Sequence, residues 1–122
     1  MNKNILIAED ELYIIESLRF ILEQEGYIVS EVHDGQHVVS CVRNASPHVL
    51  ILDLMLPNQN GFEILKELKS DTVVKNIPVL MLTAKGQQQD RTTARQLGVD
   101  AFITKPFSNR EVLECVNNLA NG

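Results

Sequence analysis

Hydrophobic and polar positions along the chain fall into two alternating kinds of segment. The first kind is a short unbroken apolar run: Ile5-Leu6-Ile7-Ala8, Val49-Leu50-Ile51-Leu52 and Val79-Leu80-Met81-Leu82. Runs of this length and composition fit strands buried on both faces of a parallel sheet. Weaker strand patterns cover residues 27–32 and 101–104. The second kind has helical spacing. Ile14, Ile15, Leu18, Ile21 and Leu22 form one stripe, which Gly26 can close. Val38, Val39 and Val42 form a second, and Phe62, Leu65 and Leu68 a third, just after Gly61. Residues 87–97 are polar, with only Ala94 and Leu97 to bury before Gly98. The last helix opens on the capping box Ser108-Asn109-Arg110-Glu111 and buries Val112, Val116 and Leu119.

Strand and helix thus alternate through the chain. That order predicts an α/β fold, a doubly wound five-stranded parallel sheet with five helices on its two faces, and the strand order 2-1-3-4-5. At 122 residues the chain suits one domain, spanning 1–122. A hydrophobic fraction of 44% with 22% charged residues suits a folded domain rather than a disordered segment. The net charge of −5 repels phosphate backbones, and no basic stripe offsets it, which argues against direct nucleic-acid binding. No apolar run is long enough to span a bilayer, and charges at Lys3, Glu9 and Asp10 break any signal-peptide pattern. A cytoplasmic location is expected. Cys41 and Cys115 sit in apolar helical patterns far apart in sequence and read as reduced, partly buried thiols.

Ligands of open α/β sheets bind beyond the carboxyl ends of the strands, where strand order reverses. The first strand ends in Glu9-Asp10, the third in Asp53, the fourth in Thr83 and the fifth in Lys105-Pro106. Carboxylates that converge in this way need neutralising. A hard divalent cation with oxygen ligands does so, and Mg²⁺ is the natural candidate. Metal and lysine together could stabilise the equatorial oxygens of a transferring phosphoryl group, with a hydrogen bond from Thr83. Asp53 is then the nucleophile, since an aspartate can form an acyl phosphate.

With these pieces in place, the chain resembles from end to end the receiver domain of bacterial two-component response regulators. The matching segments are Glu9-Asp10, Asp53-Leu54-Met55-Leu56-Pro57, Gly61, Thr83-Ala84 and Lys105-Pro106-Phe107. The resemblance implies Mg²⁺-dependent transfer of a phosphoryl group to Asp53 from a partner histidine kinase or phosphotransfer protein. It implies metal ligation by Glu9, Asp10, Asp53 and the backbone carbonyl of Met55. It assigns Thr83 and Phe102 as switch residues whose movement alters the face built from the fourth helix, fifth strand and fifth helix. That face would then signal to an output domain or a protein partner. The chain is expected to be a phosphoacceptor that assists its own phosphorylation and dephosphorylation, not an enzyme. The winged-helix class of these regulators dimerises through the same face. Arg91, Asp100, Arg110 and Glu111 resemble part of its ion-pair set, whereas Cys115 stands where a basic residue is usual. Other departures are Asn58 and Asn60 in the turn after the acceptor, Glu9 for the commoner Asp, and Phe102 for the frequent Tyr. Met55 and Lys85 flank the expected path of attacking water and would shield the acyl phosphate.

Rival readings fare worse. An aspartyl phosphohydrolase usually carries a second acid two residues after its nucleophile, and that position is Met55. A flavin or nucleotide module would place a glycine- or hydroxyl-rich loop after the first strand, where this chain has Ala8-Glu9-Asp10-Glu11. A receiver degenerated to a docking surface would not need every chemical residue in place. His33, His37 and His48 are scattered and read as surface positions.

Overall fold

The computed structural model describes residues 2–84 and 88–122. Five parallel strands, β1 (Asn4–Ala8), β2 (Ile28–Val32), β3 (Val49–Asp53), β4 (Val79–Thr83) and β5 (Ala101–Thr104), form one sheet in the order β2-β1-β3-β4-β5. The helices are α1 (Leu12–Gln24), α2 (Val38–Ala45), α3 (Gly61–Ser70), α4 (Gln88–Gln96) and α5 (Asn109–Asn121), with a 3-10 turn at Gly35–His37 leading into α2. This is the doubly wound architecture that the alternating pattern predicts.

Side chains alternate across each strand, and this splits the core into two layers. Ile5 and Ile7 of β1, Ile51 of β3 and Leu80 of β4 pack with Ile15, Leu18 and Leu22 of α1 and with Val112 and Val116 of α5. Their neighbours Leu6, Leu50, Leu52 and Met81 pack on the other face with Val42 of α2 and Ile64, Leu65 and Leu68 of α3. Each fully buried aliphatic side chain contributes about 1.5–3 kcal/mol. The layers are unequal where α4 lies. Ala94 is its one fully buried residue among those described, as its polar sequence predicts.

Local signals set the helix ends. Ser108 accepts a hydrogen bond from the Glu111 backbone N–H at 3.0 Å, and Asn60 accepts one from the Glu63 N–H at 3.0 Å. Gly26, at φ +94°, takes the left-handed conformation that closes α1. The strand patterns read from sequence hold to within a residue at each end. Lys85, given a shielding role above, and Gln87, the first residue of the polar segment 87–97, lie outside the described residues. Cys41 and Cys115 are free, half-buried thiols, and His33, His37 and His48 are exposed.

Candidate functional site

The sheet register brings the strand ends together. Ala8 pairs with Leu52, so Glu9 and Asp53 extend from neighbouring strands, while Thr83 pairs with Thr104 and places Lys105 just beyond. The Lys105 backbone N–H donates to the Thr83 carbonyl at 2.7 Å, and the Glu9 N–H donates to the Val32 carbonyl at 3.1 Å. These bonds carry the sheet one residue past its formal end and fix the bases of both side chains.

Glu9 is wholly buried and Asp53 is 3% exposed, whereas Asp10 faces solvent. One carboxylate oxygen from each of Glu9, Asp10 and Asp53 lies within 4.8 Å of the others. Into this group reaches Lys105. Its Nζ is 2.9 Å from Glu9 Oε1 and 3.5 Å from Asp53 Oδ2. The second oxygen of each buried acid is held by backbone: Asp53 Oδ1 accepts from the Met55 N–H at 3.1 Å, and Glu9 Oε2 from the Asp10 and Glu11 N–H groups at 3.1 and 3.2 Å. Thr83 is buried at the end of β4.

Electrostatics mark the centre as strained. Burial, reinforced by the adjoining Asp53 carboxylate, pushes the Glu9 carboxyl up to about 7, although Lys105 pulls it the other way. Burial by itself would lower the Lys105 ammonium. The hydrogen bond to Glu9 and the charges of Asp53, Glu9 and Glu11 outweigh it and hold the ammonium above its ordinary value. One ammonium thus serves more carboxylates than it can neutralise. The donor set is hard oxygen, closely spaced and in charge excess, which fits a divalent cation such as Mg²⁺.

The structure gathers Glu9, Asp10, Asp53 and Lys105 in one crevice, with the Met55 backbone bonded to Asp53 and the Met55 side chain 59% exposed. Phe102 stands apart from that crevice. It lies two residues before Thr104 on β5, packs half-buried against the layer under α4, and carries the Arg91 guanidinium over its ring at 5.1 Å. Arg91 also donates to Thr104 Oγ1 at 2.9 Å. Asp100 accepts from the Val79 N–H at 2.8 Å, and Arg110 donates to Glu114 at 3.1 Å.

Two features escaped the sequence reading. Glu11 Oε1 lies 3.5 Å from Lys105 Nζ. Its place directly after Glu9-Asp10 was the available signal. The turn after Asp53 is also fastened across to the loop after β2. Asn58, at φ +72°, donates from Nδ2 to Asp34 Oδ2 at 2.9 Å, and the Gly35 N–H donates to the Pro57 carbonyl at 3.0 Å. Gly35 lets the two loops approach this closely, since a Cβ would overlap the Gln59 carbonyl oxygen unless the loops shift.

Comparison with known proteins agrees with this geometry. Residues 5–117 match the family model of the response regulator receiver domain. The chain is 40% identical over 113 residues to the phosphate regulon transcriptional regulatory protein PhoB of Escherichia coli (strain K12), covering 93% of this chain and 49% of PhoB. It is 40% identical over 112 residues to the alkaline phosphatase synthesis transcriptional regulatory protein PhoP of Bacillus subtilis (strain 168), covering 92% of this chain and 46% of PhoP. The chain therefore spans about half the length of these relatives. Among solved structures, the receiver domain of Francisella response regulator 1452 superposes with a TM-score of 0.92 at 28% identity, covering 98% of each chain.

Proposed function

Because the chain belongs to the response regulator receiver domain family, the phosphoacceptor module of two-component signalling, we propose that Asp53 is its acceptor and that residues 1–122 act as a single receiver domain. The observation that carries this reading is the buried Asp53 carboxylate, gathered with Glu9 and Asp10 at the end of β1 and within 3.5 Å of the Lys105 ammonium. A phosphohistidine on a histidine kinase or phosphotransfer protein is the proposed donor. Its N–P bond breaks, the imidazole leaves with the electron pair, and an Asp53 oxygen forms the new O–P bond.

Glu9, Asp10, Asp53 and the Met55 carbonyl would hold Mg²⁺. When bound, it supplies positive charge against the oxygens of the transferring group. Lys105 supplies a second positive charge beside Asp53, and the Thr83 hydroxyl donates to a phosphoryl oxygen. The Met55 N–H orients Asp53 through Oδ1, which leaves the other oxygen facing Lys105. The chain assists gain and loss of its own phosphoryl group but turns over no separate substrate. The exposed Met55 side chain shields the acyl phosphate from water.

Movement of Thr83 toward the phosphoryl group draws Phe102 inward and reshapes the α4-β5-α5 face, which addresses an output domain or a partner protein. A homodimer through that face would first have to compete with internal partners, since Arg91, Asp100 and Arg110 are each bonded within the chain. None of the helices among the described residues is long and apolar enough to cross a membrane, and we place the domain in the cytoplasm. The test is intact mass after incubation with Mg²⁺ and acetyl phosphate. The parent should gain one phosphoryl group, and Asp53→Ala or chelation of Mg²⁺ should abolish the gain. An Asp53→Ala protein that still gained the group would overturn the assignment.

A further inference from the structure

Glu11 is an acid beside Lys105 that takes no part in the transfer just described. It is the N-cap residue of α1, yet its side chain makes no capping hydrogen bond. Its backbone is fixed all the same: its N–H donates to Glu9 Oε2 at 3.2 Å, and its carbonyl accepts from the Ile14 and Ile15 N–H groups, both at 3.1 Å. The side chain turns instead to the Tyr13 hydroxyl, which donates to it, and to Lys105, with Oε1 3.5 Å from Nζ. Asp53 Oδ2 lies at the same 3.5 Å from that nitrogen. The two acceptors differ in depth, however, since the Glu11 side chain is 43% exposed and that of Asp53 4%. Lys105 therefore has one acceptor at the rim of the crevice and others at its floor, on a flexible four-carbon stem that can serve either.

A phosphoryl group on Asp53 needs the ammonium at the floor. In this structure Nζ is 2.9 Å from Glu9 on the floor while also reaching Glu11, so the pull of Glu11 competes with the floor contacts for one ammonium. We infer that Glu11 is a positioning residue for phosphoryl transfer: it holds Lys105 toward the rim and so limits the phosphorylated fraction of the domain. This rests on the reading of Asp53 and Lys105 given above, and it deepens that reading by adding a competitor for the ammonium.

Contact and charge can be separated. Asp at position 11 keeps the charge but is one methylene shorter, and Asp is a favoured N-cap whose carboxylate bonds to the backbone of the first turn. Glu11→Asp should therefore fold well and release Lys105. Glu11→Gln removes the charge and weakens the contact. The experiment measures, by intact mass, the steady-state ratio of phosphorylated to unphosphorylated protein in Mg²⁺ and limiting acetyl phosphate. Parent, Glu11→Gln and Glu11→Asp are compared, each also in a Lys105→Met background. The expected result is a rise of about two- to fivefold for both single variants, the scale of one partly exposed ion pair, with no rise once Lys105 is gone. A rise in Glu11→Gln alone would show a charge effect and overturn the inference, as would a rise that survives Lys105→Met. Normal uptake by the parent with no change in either variant would sink the role of Glu11 and leave Asp53 standing. A parent that gains no phosphoryl group would sink both.

Discussion

Replacing Glu9 by Gln should raise the stability of the metal-free protein at pH 8, relative to the parent, well above its relative value at pH 5. The Glu9 side chain is wholly buried, and its carboxyl is raised from 4.5 to about 7, first by burial and then by the Asp53 carboxylate. At about 1.4 kcal/mol per factor of ten, ionising it in the folded state costs about 3 kcal/mol. The sign follows from proton uptake. Because the folded state binds this proton more tightly than the unfolded chain, the contribution is fully present below pH 4.5, is lost as pH rises through about 7, and is flat above. The amide that replaces the carboxyl has no such titration. Its oxygen can still accept from the Asp10 or Glu11 N–H and its nitrogen can donate to Asp53, while the bond from Lys105 is lost at every pH, which lowers the whole curve without changing its slope. The advantage of Glu9→Gln over the parent should therefore grow by about 2–3 kcal/mol between pH 5 and pH 8. Urea denaturation in EDTA at several pH values reads this directly, as a midpoint difference that widens by about 1–2 M. Parallel stability curves for parent and variant across that range would refute the reasoning. The same linkage makes Mg²⁺ bind more tightly to the parent as pH rises through 7, with release of a proton, and calorimetry in buffers of different ionisation enthalpy should detect that proton.

Other perturbations probe the frame that holds the crevice. Gly35→Ala places a Cβ against the Gln59 carbonyl and should cost about 1–3 kcal/mol, read by thermal or urea unfolding; an unchanged midpoint would show that the two loops yield freely. Ser108→Ala removes the cap of α5 and should cost about 1 kcal/mol, while Ser108→Asp should restore most of it. Amide hydrogen exchange should be fast in α4, whose one fully buried residue among those described is Ala94, and slow in α1 and β3; strong protection throughout residues 88–96 would remove the case for a loosely held switch helix.

Much of this was legible in the chain itself. Uniform apolar runs marked β1, β3 and β4, because strands covered on both faces must be apolar on both. Helical stripes marked the layers between them, and Ser108 announced the start of α5. Once the strands were in place, the rule that parallel sheets bind at their carboxyl ends collected Glu9, Asp10, Asp53, Thr83 and Lys105 from segments spread over most of the sequence. Each is a strand-end residue, so its position depends on backbone topology, and topology follows from periodicity.

Tertiary structure decided what individual side chains do with that position. Glu11 and Lys105 are 94 residues apart, and whether they meet depends on rotamers and depth, to which periodicity is blind. Arg91 lies over Phe102 and bonds Thr104, and Asp100, though exposed, accepts from the Val79 N–H, contacts that spacing does not foretell. Asn58 reads only as turn-compatible, until the fold brings Asp34 against it. The sequence determined the sheet, its two apolar layers and the acids and lysine at its edge, because burial and chain geometry act through local pattern. The partners of each charge, and with them the shift at Glu9 and the sharing of Lys105, were decided only when distant segments closed on one low-dielectric crevice.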